Sequence, residues 1–172
     1  QNPHQRAGIG HISVLFVDDE KILRTVYSKI IGSWVQEVYL AENGVEGIAL
    51  YNKHKPDLVI TDIKMPVMSG LDMTIMIRNQ YPKARVIVLS AFSEANYLIR
   101  AIEVGIKNFL LKPVDNNRLL QAITDQAAEI ELENKLIEEE TKRIKAEVEL
   151  KHNEQVLQAV SEIAAHLLRV GY

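Results

Sequence analysis

A mostly apolar run, Val59-Ile60-Thr61, ends at one carboxylate, Asp62, and the turn-forming pair Met65-Pro66 follows almost at once. A short apolar run closed by turn chemistry reads as a buried strand. Asp62 is therefore expected at the carboxyl end of a strand, where open α/β sheets hold their ligands. Two further runs match it. Leu15-Phe16-Val17 leads into Asp18-Asp19-Glu20, and Phe109-Leu110-Leu111 leads into Lys112-Pro113. Strand ends that gather acids and one lysine are equipped for a divalent cation and a phosphoryl group.

Around these runs the first two thirds of the chain alternates between two patterns. Apolar runs at 12–17, 38–40, 58–61, 85–89 and 108–111 predict strands. Between them, Ile22, Leu23, Val26, Ile30 and Ile31 recur at helical spacing, and Gly32 follows as a stop. Asn43-Gly44 opens a second helix with Val45, Ile48, Ala49 and Asn52 along one face. A third helix is predicted over 71–79 after Ser69-Gly70, and a fourth from Ser93-Glu94 to Val104, ended by Gly105. Strict alternation of strand and helix, with strands apolar throughout, implies a parallel sheet covered on both faces and joined by right-handed crossovers. Five such units fit a doubly wound, flavodoxin-like α/β fold with strand order 2-1-3-4-5.

The charge changes near Asp115. Residues 1–115 carry 13 Lys/Arg and 12 Asp/Glu, whereas residues 116–172 carry 7 and 11. The second segment has no proline and reads as one helix over 116–168, the fifth helix extended. Ile123, Ile130, Ile137 and Ile144 recur every seven residues, and Leu120, Ala127, Asn134, Thr141 and Val148 form the companion series. That is the seam of a coiled coil. Its phase breaks after Val148, near Lys151, and resumes with Leu150, Leu157 and Ala164 beside Val160 and Leu167. Asn134 within the seam favours two strands in a defined register, hence a homodimer, most simply parallel. A solvated linker helix held by charge pairs is the other reading. His152 and His166 lack the acid directly after them that a histidine-kinase helix needs, and read as exposed side chains.

Composition removes several classes of function. There is no cysteine, so disulfides and thiolate zinc sites are excluded, and a reducing, cytoplasmic setting is expected. No apolar run approaches the roughly 20 residues of a membrane span. A formal net charge of −3 offers no general attraction to nucleic acid. Residues 1–10 are polar and turn-rich, and are expected to be a disordered lead or an expression remnant.

Moving a phosphoryl group onto a carboxylate brings anions together, and a hard divalent cation relieves the repulsion. Asp19 and Asp62 are candidates for direct ligands, Asp18 for one acting through water, and the backbone carbonyl of Lys64 for completing the shell. Lys112 can pair with a phosphoryl oxygen, and the hydroxyl of Ser90, at the end of the fourth strand, can donate to another. Singly, each has an ordinary reading: acids favour helix starts, and a serine after a strand caps or turns. Together they place matching groups on one sheet edge.

Residues 11–126 resemble the receiver domain of a bacterial two-component response regulator of the CheY-like kind. The resemblance rests on Val17-Asp18-Asp19-Glu20, Asp62-Ile63-Lys64-Met65-Pro66 with Ser69-Gly70-Leu71, Leu89-Ser90-Ala91, and Phe109 with Lys112-Pro113. It implies Asp62 as phospho-acceptor, with magnesium, or manganese, held by Asp18, Asp19, Asp62 and the Lys64 carbonyl. It implies Ser90 and Phe109 as a switch pair, Lys112 as the family's lysine, and a cis Lys112-Pro113 bond. Phe109 also has a plain reading as core. The donor would be a histidine kinase or phosphotransfer protein, and a receiver of this kind catalyses its own phosphorylation and dephosphorylation. Residues 127–172 would then be a coiled-coil signalling helix toward an output module such as a diguanylate cyclase, a phosphodiesterase or a hybrid kinase. A haloacid-dehalogenase-type phosphatase needs an aspartate two residues after the nucleophile, and position 64 is lysine. A pure dimerisation scaffold would not need the intact acids, Ser90 and Lys112.

Overall fold

The computed structural model describes residues 9–91, 95–103 and 105–171. Five strands alternate with five helices: β1 (Ser13–Val17), α1 (Lys21–Gly32), β2 (Glu37–Ala41), α2 (Gly44–His54), β3 (Leu58–Asp62), α3 (Gly70–Gln80), β4 (Val86–Ser90), α4 (Ala95–Glu103), β5 (Asn108–Leu111) and α5 (Asn116–Val170). The strands form one parallel sheet in the order β2-β1-β3-β4-β5. This is the flavodoxin-like arrangement that the alternating pattern predicts. The expected start of α4 at Ser93-Glu94 and its end at Val104 lie outside the described residues.

β3 and β4 are buried along their whole length, as central strands covered on both faces must be. Their side chains divide between two core clusters, one on each side of the sheet. Phe16, Leu58, Ile60, Ile87 and Leu89 belong to the first; Leu15, Val17, Val59, Val86 and Val88 belong to the second. Side chains alternate faces along a strand, so neighbouring residues serve opposite cores.

Three expectations are corrected. Ile9 is buried in the first cluster, so the lead does not extend to residue 10; residues 1–8 lie outside the described residues. Of the face drawn for α2, Val45, Ala49 and Asn52 are exposed, while Ile48 packs partly buried against the second cluster. The helix buries Gly44, Gly47 and Tyr51; at the two glycines α2 packs too closely for a side chain, and a Cβ at Gly47 would lie 2.4 Å from Met73 Sδ. In α1, Ile22 and Val26 face solvent, and Tyr27 packs against Phe16 instead.

The chain divides into two compact units, residues 1–130 and 131–172. Leu119, Ile123, Ala127 and Ile130 are buried in the first core cluster. The opening positions of the heptad seam therefore serve the core of the first unit, and only those beyond residue 130 remain for another chain. The second unit is helix alone. Its Glu-to-Lys pairs at i,i+4, Glu131–Lys135, Glu138–Lys142 and Glu147–Lys151, have the favourable order. His152 and His166 are exposed there.

Candidate phosphoryl-transfer site

Strand order and register bring the predicted groups together. β1 and β3 are neighbours, and Val17 pairs with Thr61, so Asp18 and Asp62 leave the sheet at the same level. β4 ends beside them, with Asp62 paired to Leu89, and Ser90 is paired to Leu111 on β5. The Lys112 amide donates to the Ser90 carbonyl at 2.8 Å, which ties these two strand ends. The Lys112-Pro113 bond is cis.

Asp18 is fully buried, Asp62 is 9% exposed, and Asp19 faces solvent. Each offers a carboxylate oxygen, and the three oxygens lie within 4.8 Å of one another. Among the described residues this is the one such acidic or histidine group. Clustered carboxylate oxygens, one of them on solvent-exposed Asp19, fit a hard cation that keeps part of its water shell.

Lys112 reaches across the end of β4 to both buried acids. Its Nζ is 3.0 Å from Asp62 Oδ2 and 3.3 Å from Asp18 Oδ2. Backbone amides occupy the other oxygens: Ile63 donates to Asp62 Oδ1 at 2.8 Å, and Glu20 to Asp18 Oδ1 at 2.8 Å. Burial pushes the Asp62 carboxyl above the usual carboxylate range, and Lys112 only partly offsets this. Burial alone would pull the Lys112 ammonium down, but hydrogen bonding and charge from Asp62 and Asp18 raise it. The lysine therefore stays charged while the buried carboxylate is held at a cost.

Ser90 is buried, and its hydroxyl donates to the Ala91 carbonyl at 3.1 Å. Phe109 is partly buried against the second core cluster. Lys64 is exposed in the loop after β3.

Two contributors escaped the sequence reading. Gly70, read there only as a helix lead, is where α3 meets the end of β3. Its amide donates to the Ile63 carbonyl at 2.9 Å, and a Cβ there would lie 1.9 Å from the Asp62 carbonyl oxygen. Arg24, in the first turns of α1, donates from Nη1 to the carbonyls of Asp18 and Asp19 at 2.7 and 2.8 Å. Helical side chains lean toward the helix N-terminus, so a long basic residue one turn in covers the loop before the helix. That was the available signal.

The sequence pattern of the response regulator receiver domain matches residues 14–124. The chain belongs to the receiver family. The chemotaxis protein CheY of Listeria monocytogenes is 38% identical over 117 residues, which span 67% of this chain and 98% of that protein. Among solved structures, the N-terminal domain of an uncharacterized protein from Wolinella succinogenes is 41% identical with a TM-score of 0.67, covering 72% of this chain and 98% of that one. A receiver domain protein from Clostridium thermocellum is 29% identical with a TM-score of 0.67, covering 70% and 98%. This receiver is thus a module of two-component signalling. No described helix is long and apolar enough to cross a membrane.

Proposed function

We propose that this receiver accepts a phosphoryl group on Asp62 from the phosphohistidine of a kinase or phosphotransfer protein. An Asp62 carboxylate oxygen attacks phosphorus, the P–N bond breaks, and the imidazole leaves with the bonding electron pair. The product is an acyl phosphate, and water later hydrolyses it to the carboxylate and inorganic phosphate. Lys112 binds a phosphoryl oxygen as a point charge and holds the Asp62 carboxylate in place beforehand. Ser90 donates its hydroxyl to another phosphoryl oxygen. Asp18, Asp19, Asp62 and the Lys64 carbonyl would hold magnesium, or manganese, whose charge would offset the repulsion between anionic donor and acceptor.

The observation that carries this reading is the Lys112 ammonium between two buried carboxylates, 3.0 and 3.3 Å away. A structural ion pair needs one acid; a second acid beside an exposed third is costly to keep without a cation to bind. Incubation of the full chain with acetyl phosphate and Mg2+ tests it by intact mass. The protein gains one phosphoryl group and Asp62→Asn gains none. A gain in Asp62→Asn overturns the acceptor assignment.

On the same reading, Ser90 moves toward the phosphoryl group and Phe109 turns into the space it leaves. The change reaches the face built from α4, β5 and α5 as a shift between two existing populations. The seam beyond residue 130 carries a homodimer, with Asn134 setting its register. The chain works in the cytoplasm, contacts no nucleic acid itself, and passes its signal to an output module such as a cyclase, a phosphodiesterase or a kinase.

A further inference from the structure

The chemistry above gives no role to the cation nearest the acidic loop. Arg24 Nη1 is hydrogen-bonded to two successive carbonyls, Asp18 at 2.7 Å and Asp19 at 2.8 Å. Its Nη2 is 3.6 Å from Glu42 Oε2. Glu42 lies just past β2, and its amide donates to Glu46 in the first turn of α2 at 2.8 Å. One guanidinium thus joins α1, the loop that carries two acids, and the segment leading into α2. Only 16% of the Arg24 side chain is exposed. Charge-assisted bonds in such a setting are strong and directional.

We propose that Arg24 is the positioning residue of the cation site, fixing the backbone of residues 18–20 so that Asp18 and Asp19 face Asp62 before a cation arrives. The proposal rests on the reading of these three acids as a magnesium site. In an extended strand successive groups point to opposite sides. Two successive carbonyls can meet one nitrogen only where the chain has turned out of β1. The turn also delivers the Glu20 amide to Asp18 Oδ1, so one carboxylate is held from the backbone the guanidinium anchors.

Two effects of Arg24 on a cation have opposite signs. Its charge repels the cation, and its geometry prepares the ligands. The contacts run to carbonyls rather than carboxylates, and Glu42 answers the charge, so the repulsion is dulled. Loss of a group that orients ligands costs roughly 10–100-fold in metal affinity. Preorganisation is the larger effect.

The full chain is titrated with Mg2+ by calorimetry. Hydrogen exchange of the Glu20 and Val88 amides is followed in metal-free protein. R24A binds Mg2+ about tenfold more weakly. R24K recovers part of this, because an ammonium keeps the charge and donors but not the planar fork. E42Q binds Mg2+ more weakly than wild type, because the guanidinium charge is no longer answered, but less weakly than R24A. In R24A the Glu20 amide exchanges faster while Val88, in central β4, keeps its protection. Mg2+ affinity in R24A equal to or tighter than wild type overturns the proposal. So does faster exchange at Val88 alongside Glu20, which marks a general stability role. Wild-type protein that shows no Mg2+ binding, or D19N that binds as wild type does, overturns the magnesium reading instead, and Glu20 exchange then decides the loop-positioning role alone.

Discussion

At the scale of single residues, the proposed acceptor Asp62 is held in a form that its surroundings resist. Burial raises the Asp62 carboxyl, and Lys112 does not fully compensate. An acid whose folded pKa is raised binds more protons folded than unfolded, so stability falls as pH rises from about 3.8 through the folded value. Above that window the cost is complete. D62N removes it and is expected to melt at a higher temperature than wild type at pH 7 in metal-free buffer. The gain shrinks to nothing as the pH falls below the unfolded carboxylate range. Thermal melts of both proteins across that range check it, and an Asn variant less stable at pH 7 contradicts the stated balance. Gly70 shows the opposite kind of constraint, one of space rather than charge. A Cβ there would meet the Asp62 carbonyl oxygen at 1.9 Å and Thr61 Oγ1 at 2.5 Å. Backbone cannot yield as a flexible side chain can, so G70A must push α3 off the end of β3. We expect a loss of about 3 kcal/mol in denaturant unfolding, together with weaker Mg2+ binding. Asp18, Asp62, Ser90 and Lys112 were legible in the sequence because each closes an apolar run. Arg24 was not, because it sits on a helix whose pattern describes only its apolar face. Gly70 was seen as a helix start, but not as the point of contact with the acceptor's own backbone.

At the scale of elements, the strands were legible to within a residue or two and the helix faces were not. Full burial makes β3 and β4 continuous apolar runs. β2 was read as three residues, 38–40, and spans Glu37–Ala41, because pairing with β1 (Ser13 to Glu37, Val17 to Ala41) sets its ends. Backbone pairing leaves no mark on side-chain polarity. α2 misled because two of its three buried residues are glycines, Gly44 and Gly47, which carry no hydropathy signal, yet its cap was plain: Asn43 accepts from the amides of Val45 and Glu46. On the proposed reading, α5 carries two jobs in one heptad series. Ile123 is fully buried in the receiver core, whereas Ile144 is half exposed within its own unit. I123A is expected to cost about 3 kcal/mol of receiver stability without changing self-association. I144A is expected to leave receiver stability unchanged and to weaken self-association. Denaturant unfolding paired with sedimentation of both variants separates the two jobs, and equal effects from the two would show that the series has one.

At the scale of the whole chain, the question is what the second unit adds to a domain that is complete without it. Every residue of both core clusters lies at or before Ile130. A chain ending at residue 130 is therefore expected to fold and to bind Mg2+ as the full chain does. The second unit buries none of Ile137, Ile144, Val148, Leu157, Val160 and Leu167 within itself. A lone helix of this length can persist on i,i+4 pairs, but a charge-paired linker has no need of isoleucine every seven residues. We expect the full chain to scatter as a dimer across a micromolar dilution series, and residues 1–130 as a monomer. The dimer should persist with and without Mg2+ and beryllofluoride, because the seam positions Ile137, Thr141, Ile144 and Val148 hold neither a charge nor a cation ligand. The signal would then travel as a twist or register change along a standing coil. The phase break after Val148 is where such a change would be taken up, since departures from the heptad alter local winding. A full chain that dimerises only with beryllofluoride, and not in D62N, would make assembly itself the signal. A full chain that stays monomeric throughout would leave the solvated linker helix as the correct reading of residues 131–172.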